Sequence, residues 1–189
     1  MDPVKDQTKN IPPALIESTI RALNADPGAS LAEIAKRAGV GRATLHRHFG
    51  SRDGLIRALT LSSIRETDAA VAHISLEQSA GDYLKAMLEA LIPLGDRFHF
   101  LSQEWSAMKE PDIAVELKRQ MDELGQLVVA LKAEGLIAPD VPDAWGVAVL
   151  DSMIYTAWAS VHEGWIARRE APALVLRTIL SGLGKPELD

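Results

Sequence analysis

Residues 30–59 read SLAEIAKRAGVGRATLHRHFGSRDGLIRAL, and this stretch decides the fold that we expect for the chain. Ser30 and Glu33 form an S-x-x-E capping box at the start of a helix, because each side chain can bond the backbone amide of the other residue. Apolar residues then recur at helical spacing, and Gly39 ends this helix in the left-handed conformation that glycine favours. A second helix is predicted from Arg42 to Phe49, where another glycine follows.

Two short helices joined by such a turn predict a helix-turn-helix. The second helix is roughly 12 Å long at 1.5 Å per residue, which suits a DNA major groove about 12 Å wide. When Leu45 and Phe49 point inward, the outward face of this helix is rich in hydrogen-bond donors. We therefore predict binding of double-stranded DNA through that face, its flanks and the start of the next helix, by Arg42, Ala43, Thr44, His46, Arg47, His48 and Arg52.

Charge is distributed unevenly along the chain. Residues 31–57 hold six bases and two acids, a net charge of +4, whereas the whole chain has a net charge of −6. Residues 1–60 carry nine bases and six acids, net +3, and residues 61–189 carry eleven bases and twenty acids, net −9. A basic segment on an acidic chain is typical of phosphate binding, and the acidic remainder is repelled by DNA.

The run IAKRAGVGRATLHRHFGSRDGLI resembles the DNA-binding signature of the TetR (tetracycline-repressor) family of bacterial transcriptional regulators. The motif resemblance covers about Ser30–Leu59, and the rest of the chain is similar only in length and helical pattern. Three positions depart from the usual form. Gly41 stands where the family commonly has a Ser or Thr cap, His46 where it most often has Tyr, and Arg52 where Lys is common.

The resemblance implies an all-α homodimer with two parts. An N-terminal three-helix domain containing the helix-turn-helix, residues 1–60, would bind operator DNA. A C-terminal helical bundle, residues 61–189, would bind a small-molecule effector and dimerise. The role that the resemblance implies is that of a repressor which the effector releases from its operator.

The helical pattern extends beyond the motif. On the preceding helix, Leu15, Ile16, Thr19, Ile20 and Leu23 form a stripe that we expect to pack on the helix-turn-helix. We predict no strand. The later helices are expected near residues 80–92, 96–108, 112–134, 143–169 and 172–183.

Composition and missing motifs exclude several classes of protein. The chain has no cysteine, which excludes disulfides and cysteine-ligated zinc. It has no apolar run of 18 residues and no signal-peptide core, so we expect a cytoplasmic protein without membrane partners. G-x-S-x-G, phosphate-loop and H-E-x-x-H motifs are absent. We therefore predict no enzyme activity, no catalytic or metal site, and no cofactor.

Methionine and aromatic residues of the second part could line an effector cavity, since such sites are mostly apolar with a few polar groups. For any single residue, a place in the ordinary core is the favoured interpretation, because these side chains also fill irregular gaps between helices. The cavity itself is implied mainly by the resemblance. The candidate effector-binding residues are Phe98, His99, Trp105, Met108, Met121, Met153 and Trp158.

The segment Ala144–Val161 is apolar nearly all round, with Asp151 as its one acid. A helix of this kind must be covered on more than one side. It is either a central core helix or a helix that meets another subunit. The resemblance favours the second alternative, and Trp158, with Ala157 and Ser160 nearby, is the candidate interface position.

A rival hypothesis from another class stays open beside the regulator. The chain could be a helical ligand-binding or interaction protein whose helix-turn-helix no longer binds DNA, and an enzyme is a distant third. Salt-dependent DNA binding separates the first two classes, because each phosphate contact releases counterions.

Overall fold

The computed structural model describes residues 11–103 and 110–184, and in this part of the chain every regular element is helical. The all-α fold predicted from the sequence is thereby confirmed. A short 3-10 turn, Ile92–Leu94, also occurs. The α helices are α1 (Pro13–Ala25), α2 (Leu31–Arg37), α3 (Arg42–Phe49), α4 (Arg52–Val71), α5 (Ala80–Leu91), α6 (Gly95–Gln103), α7 (Pro111–Ala133), α8 (Asp143–His162) and α9 (Ala171–Leu183).

The described residues form two compact units. The first contains residues 11–66 with residues 96–103 and 110–114, and the second contains residues 67–95 and 115–184. This division differs from the single border predicted near residue 60, because the segment after residue 95 has partners in the first unit.

Three side-chain contacts hold that later segment in the first unit. Asn24 Nδ2 of α1 donates to the backbone oxygen of Asp96 at 2.9 Å. Arg97 is buried and its Nε donates to Glu66 Oε2 of α4, also at 2.9 Å. Arg57 of α4 contacts carboxylates at the start of α7, as described below. None of these partners is close in sequence, so periodicity could not reveal them.

The capping box and the glycine turn predicted for the helix-turn-helix are confirmed. Ser30 N donates to Glu33 Oε2 at 2.8 Å, and Glu33 N donates to Ser30 Oγ at 3.3 Å. The carboxylate also accepts from Ser30 Oγ at 2.7 Å, and the bonds from Ser30 Oγ and Ser30 N to this carboxylate lower the pKa of Glu33. Gly39 has φ 71°, and the amide of Val40 closes the turn on Ala35 O at 3.0 Å.

The predicted stripe of α1 is also confirmed, since all five of its residues are buried. The buried hydroxyl of Thr19 donates to Leu15 O at 2.6 Å, so it is satisfied within its own helix. The rest of this core comes from α2, α3 and α4. Its completely buried side chains include Ile34, Leu45, Leu55 and Leu59.

The apolar helix α8 ends at His162, seven residues earlier than the predicted end at residue 169. Gly164 takes φ 75°, a left-handed conformation that stops a helix. Its amide donates to Val161 O at 3.1 Å, and the amide of Trp165 donates to Ser160 O at 2.9 Å. No described helix combines the length and the apolar character that crossing a membrane requires.

The residues predicted at a subunit interface lie inside the second unit instead. Ala157 is 2% exposed. Trp158 lies directly on Gly95, where an added Cβ would come within 1.8 Å of the indole Cγ. That prediction is therefore wrong for Ala157, because the core of the second unit covers it, whereas Trp158 is only partly buried. The exposed face of α8 is a different one, and Trp145 and Tyr155 are its large side chains.

Replacement of Gly41 tests whether a side-chain cap would stabilise α3. It is the N-cap of the helix, with φ −70° and ψ 143°, and no side chain caps the first turn. A Cβ there would meet nothing closer than Thr44 Oγ1 at 3.8 Å. We expect Gly41→Ser to stabilise the protein by about 0.5–1 kcal/mol, because serine caps the helix and restricts the unfolded chain.

Gly39→Ala is the matched comparison, since Gly39 has φ 71°. We expect it to destabilise the fold by about 1–2 kcal/mol, the usual cost of a left-handed non-glycine residue. Urea unfolding followed by circular dichroism measures both changes. A lower midpoint for Gly41→Ser would contradict the capping argument.

Candidate functional site

Helix α3 presents one apolar face and one polar face. Leu45 is fully buried and Phe49 is 7% exposed, so both point into the first unit as predicted. The residues on the outward side of α3 share their exposure to solvent. Arg42, Ala43, His46 and Arg47 are exposed, and Thr44 and His48 are partly exposed. The predicted residues of α3 thus lie together on and beside one accessible face.

The first turn of α3 is exposed, and no side chain caps it. Gly41 provides no side-chain acceptor for the first amides of this helix. Free amides at a helix N-terminus, with the positive end of the helix dipole, favour an anionic oxygen. Arg42 stands beside this open turn and adds a positive charge.

Arg57, counted in the basic segment, has carboxylate partners inside the first unit. Its guanidinium contacts Glu110 and Asp112, and Nη1 donates to Asp112 Oδ1 at 3.1 Å. The hydrogen bonds to Arg57 lower the pKa of Asp112, and those to Asp112 raise the pKa of Arg57. This arginine therefore joins α4 to the start of α7, and we do not count it among the cations open to DNA.

Two more basic residues of the segment 31–57, Arg37 and Arg52, contact other residues of the first unit. Arg37 Nη2 forms an ion pair with Asp26 Oδ2 at 2.9 Å. Arg52, predicted to meet a phosphate, has Nη2 donating to Pro27 O at 2.6 Å, so part of its guanidinium holds the loop after α1. The bases of the segment that make no ion pair within the described residues are Lys36, Arg42 and Arg47.

The residues predicted to bind an effector whose side chains are described lie on three helices, α6, α7 and α8. Met153 and Trp158 are five residues apart, so they lie roughly 140° apart around α8. Met121 is 37% exposed on α7. His99 is partly buried in α6. Of the others, Trp105 and Met108 lie outside the described residues, and Phe98 is described only as a backbone position of α6.

Asp151 is the polar residue that sequence reasoning noted without assigning a role. Burial raises the pKa of its carboxyl group. It makes no hydrogen bond or ion pair within the described residues. Asp151 lies one turn from Val147, which faces Gly125 of α7, and two turns from Trp158, which covers Gly95. Its flank of α8 therefore faces the interior of the second unit.

Three polar atoms of the first unit are also buried without a hydrogen-bond partner: Asn24 Oδ1, Thr60 Oγ1 and Ser63 Oγ. Thr60 and Ser63 are three residues apart on α4, so they share one face of that helix. An unpaired buried hydroxyl costs roughly 1–3 kcal/mol. Such groups are what a polar ligand or a bound water would satisfy, and the sequence pattern gave no sign of them.

Described residues of the second unit form two clefts of similar size, and none of the predicted effector residues lines either one. The first, of about 680 Å³, lies between the end of α4, the start of α5 and α7. Its charged groups already have partners: Arg119 pairs with Asp68, Glu116 and Glu123, and Glu134 accepts the amides of α5. The second cleft, of about 660 Å³, lies between α5 and α9.

Comparison with known proteins gives one family. The profile described as "Bacterial regulatory proteins, tetR family" matches residues 27–59, which include the helix-turn-helix. The transcriptional repressor LfrR of Mycolicibacterium smegmatis is 25% identical over 173 residues, covering 90% of this chain and 88% of LfrR. The transcriptional regulator UidR of Escherichia coli K12 is 24% identical over 164 residues, covering 82% of each chain.

The fold agrees with these matches. The crystal structure of LfrR from Mycobacterium smegmatis in complex with proflavine superposes with a TM-score of 0.75 at 21% identity. The superposition covers 97% of this chain and all of LfrR. With the family profile on the helix-turn-helix and both relatives named as transcriptional regulators, this chain belongs to the TetR family of bacterial DNA-binding transcriptional regulators.

Proposed function

We propose that this regulator is a homodimeric repressor which a small-molecule effector releases from operator DNA. Residues 1–60 are the DNA-binding domain, and residues 61–189 bind the effector and the second subunit. The observation that carries the proposal is the accessible face of α3, held outward by buried Leu45 and Phe49.

In this proposal α3 lies in the major groove. Arg47 reads a base edge, since arginine most often binds guanine through two hydrogen bonds. Arg42 and the uncapped start of α3 meet phosphates, together with Lys36 of α2 and Arg52. Thr44, His46 and His48 add donors beside these contacts, and Ala43 lets the backbone approach the bases.

One eight-residue helix contacts too few base pairs to find a site in a genome, so two copies are needed. The exposed face of α8 fits the second copy. Trp145 is 60% and Tyr155 is 38% exposed there, with Ala148 and Ser152 between them. A regulator that needs two DNA-binding domains must pair with a second copy. A partner subunit is therefore the best explanation of this exposed apolar face.

Hydroxyl groups near this face are already satisfied. Thr156 Oγ1 donates to Ser152 O at 2.8 Å, and on α9 Thr178 Oγ1 donates to Leu174 O at 2.8 Å. A polar group that bonds its own helix can be buried against a partner without losing a hydrogen bond. The proposed interface is therefore the outer face of α8 with the Thr178 side of α9.

Asp151 and Trp158 suggest the chemistry of the effector. A partly buried carboxylate without a partner favours a positive charge beside it. Trp158, on the same flank, stacks with His162 at a ring-centroid distance of 5.3 Å, and a flat cation can join this aromatic cluster. We assign the effector to the class of cationic aromatic compounds, and the solved complex of LfrR with proflavine is consistent with this class.

Effector and operator then compete through one equilibrium. The effector favours a spacing of the two DNA-binding domains that does not match the operator, and DNA favours the other spacing. The coupling is reciprocal, so operator DNA must weaken effector binding by the same factor. A regulator that had lost DNA binding would show neither coupling nor a salt-dependent affinity for duplex DNA.

Arg47→Ala tests the recognition face. We expect a loss of about 1–3 kcal/mol per half-site and a relaxed base preference, because a base contact is removed. An operator selected from a random duplex pool, titrated at several salt concentrations, gives both quantities. Arg37→Ala is the matched control, since Arg37 pairs with Asp26 instead. Equal affinities for wild type and Arg47→Ala would show that α3 does not read the bases.

A pair of charges tests the dimer face. Ala148→Glu with Ser152→Glu should give folded monomers with at least tenfold weaker operator binding, because like charges would meet across the two-fold axis. Sedimentation and circular dichroism measure assembly and helicity. Val115→Glu with Val129→Glu, at positions on α7 that are 64% and 54% exposed, should remain dimeric. A dimer in the α8 variant would exclude this face.

Asp151→Asn tests the partly buried carboxylate through stability and ligand binding. Its raised folded-state pKa means that stability is fully present below the unfolded pKa and is lost as the pH rises through the folded value. The variant should therefore melt roughly 2–4 °C higher at pH 7, the shift given by about 1 kcal/mol in a chain of this size.

The same variant should bind a cationic dye at least tenfold more weakly, because the counter-charge is gone. Thermal melts at pH 5 and pH 7 and a fluorescence titration with proflavine provide the measurements. Asp140→Asn, on an exposed turn, is the matched control. Unchanged dye binding in Asp151→Asn would remove Asp151 from the effector site.

A further inference from the structure

We propose that the cleft between α5 and α9 is a second ligand site, one that binds a free single-chain carboxylate amphiphile of the fatty-acid type. Its volume of about 660 Å³ is within the range of small-molecule sites. We call it the basic cleft. It is lined by Lys85, Glu89, Ile92, Pro93, Arg168, Arg169, Pro172, Ala173, Leu176, Arg177 and Leu180.

The two helices that form the basic cleft run antiparallel. An added Cβ on Gly81, in the first turn of α5, would come within 2.9 Å of Leu136 Cδ1. An added Cβ on Gly184, just after α9, would lie 3.8 Å from Leu136 O. The start of α5 and the end of α9 thus meet at one residue. The cleft is therefore a groove, about 12 Å long over the eight helical steps from Lys85 to Pro93.

Charge in the basic cleft is opposite to that of its surroundings. Four bases and one acid line it, a net charge of +3, whereas residues 61–189 as a whole have a net charge of −9. Within the described residues, Lys85, Arg168 and Arg177 make no ion pair. Arg169 has only the neighbouring Glu170 at 4.0 Å, with its own side chain 88% exposed. These cations are therefore available to an anionic ligand.

The floor of the basic cleft is aliphatic. Ile92 is buried, and Leu176, Leu180 and Pro172 are partly exposed along the groove. No aromatic, amide or hydroxyl side chain is among its described lining residues. A nucleotide would lack a stacking partner, and a peptide would lack side-chain partners for its backbone. An alkyl chain needs only the apolar floor, and its carboxylate needs only the basic rim.

The basic cleft is separate from the faces assigned above. Leu176 and Thr178 are two residues apart, so they lie roughly 160° apart around α9. The proposed dimer contact uses the Thr178 side, and the cleft uses the Leu176 side. Asp151, which would repel a carboxylate, does not line the cleft. Amphiphile binding can therefore succeed or fail independently of DNA binding and of the cationic effector.

Decanoate, kept below its aggregation concentration, is the probe for the full-length protein. Isothermal titration calorimetry should give saturable binding and a rise of a few degrees in melting temperature, because the ligand binds only the folded state. Acetate and decyltrimethylammonium should not bind at the same site, since one lacks the alkyl chain and the other the negative charge.

Variants locate the binding. Arg177→Glu, and Arg168→Glu with Arg169→Glu, change exposed side chains and should each weaken decanoate binding at least tenfold. Ala173→Phe, which fills the groove without a change of charge, should do the same. Lys118→Glu, at an exposed lysine of α7, is the matched control and should stay within twofold of wild type. Circular dichroism verifies that each variant is folded.

Three results would overturn the proposal. One is the absence of saturable decanoate binding by the wild-type protein. Another is decanoate binding that the basic-cleft variants leave within twofold, or that Lys118→Glu reduces as much as they do. The third is binding to anionic phospholipid vesicles without binding to free decanoate, which would assign the basic cleft to a membrane surface.

Discussion

The burial of Leu45 and Phe49 is the contact on which the DNA-binding part depends. A helix of eight residues is not stable alone in water, because nucleation costs more than its few hydrogen bonds return. Packing of these two side chains against the first unit supplies the missing stability and also sets the rotation of α3. The same two residues therefore decide which side chains face outward. Function on this face is a consequence of what the opposite face buries.

Internal pairing divides the basic residues into two groups. Arg37 and Arg57 have carboxylate partners in the first unit, whereas Arg47 has none among the described residues. Exposed ion pairs contribute little stability, typically below about 1 kcal/mol. Here the ion pairs matter more for the placement of helices than for stability, because Arg57 joins α4 to the start of α7. A count of charges along the sequence treats all these residues alike and overstates the cations available to DNA.

The helix-turn-helix could be predicted residue by residue because its determinants are local. The capping box, Gly39 and the bounds of α3 all follow from residues within a few positions of each other. The partners of Arg57 lie 53 and 55 residues away, so no periodicity contains them. The sequence pattern also did not predict which side of α8 faces the core. A helix apolar on every side has no pattern to show that Ala157 faces the core while Tyr155 faces outward.

Helix α8 contains residues that do not favour folding stability, and once the structure is known such residues indicate function. An apolar residue at position 151 would be more stable than a partly buried carboxylate without a partner, since burial disfavours the charge. Local choices that oppose folding stability are expected mainly where function requires them. Trp145 makes a similar argument on another side of the helix, because its indole is 60% exposed and, with Tyr155, belongs to an exposed apolar face of the kind that marks interaction surfaces. The two exceptions face different directions, one toward the interior of the second unit and one toward solvent. Their separation is what a helix would need if it bound a ligand on one side and a second subunit on the other.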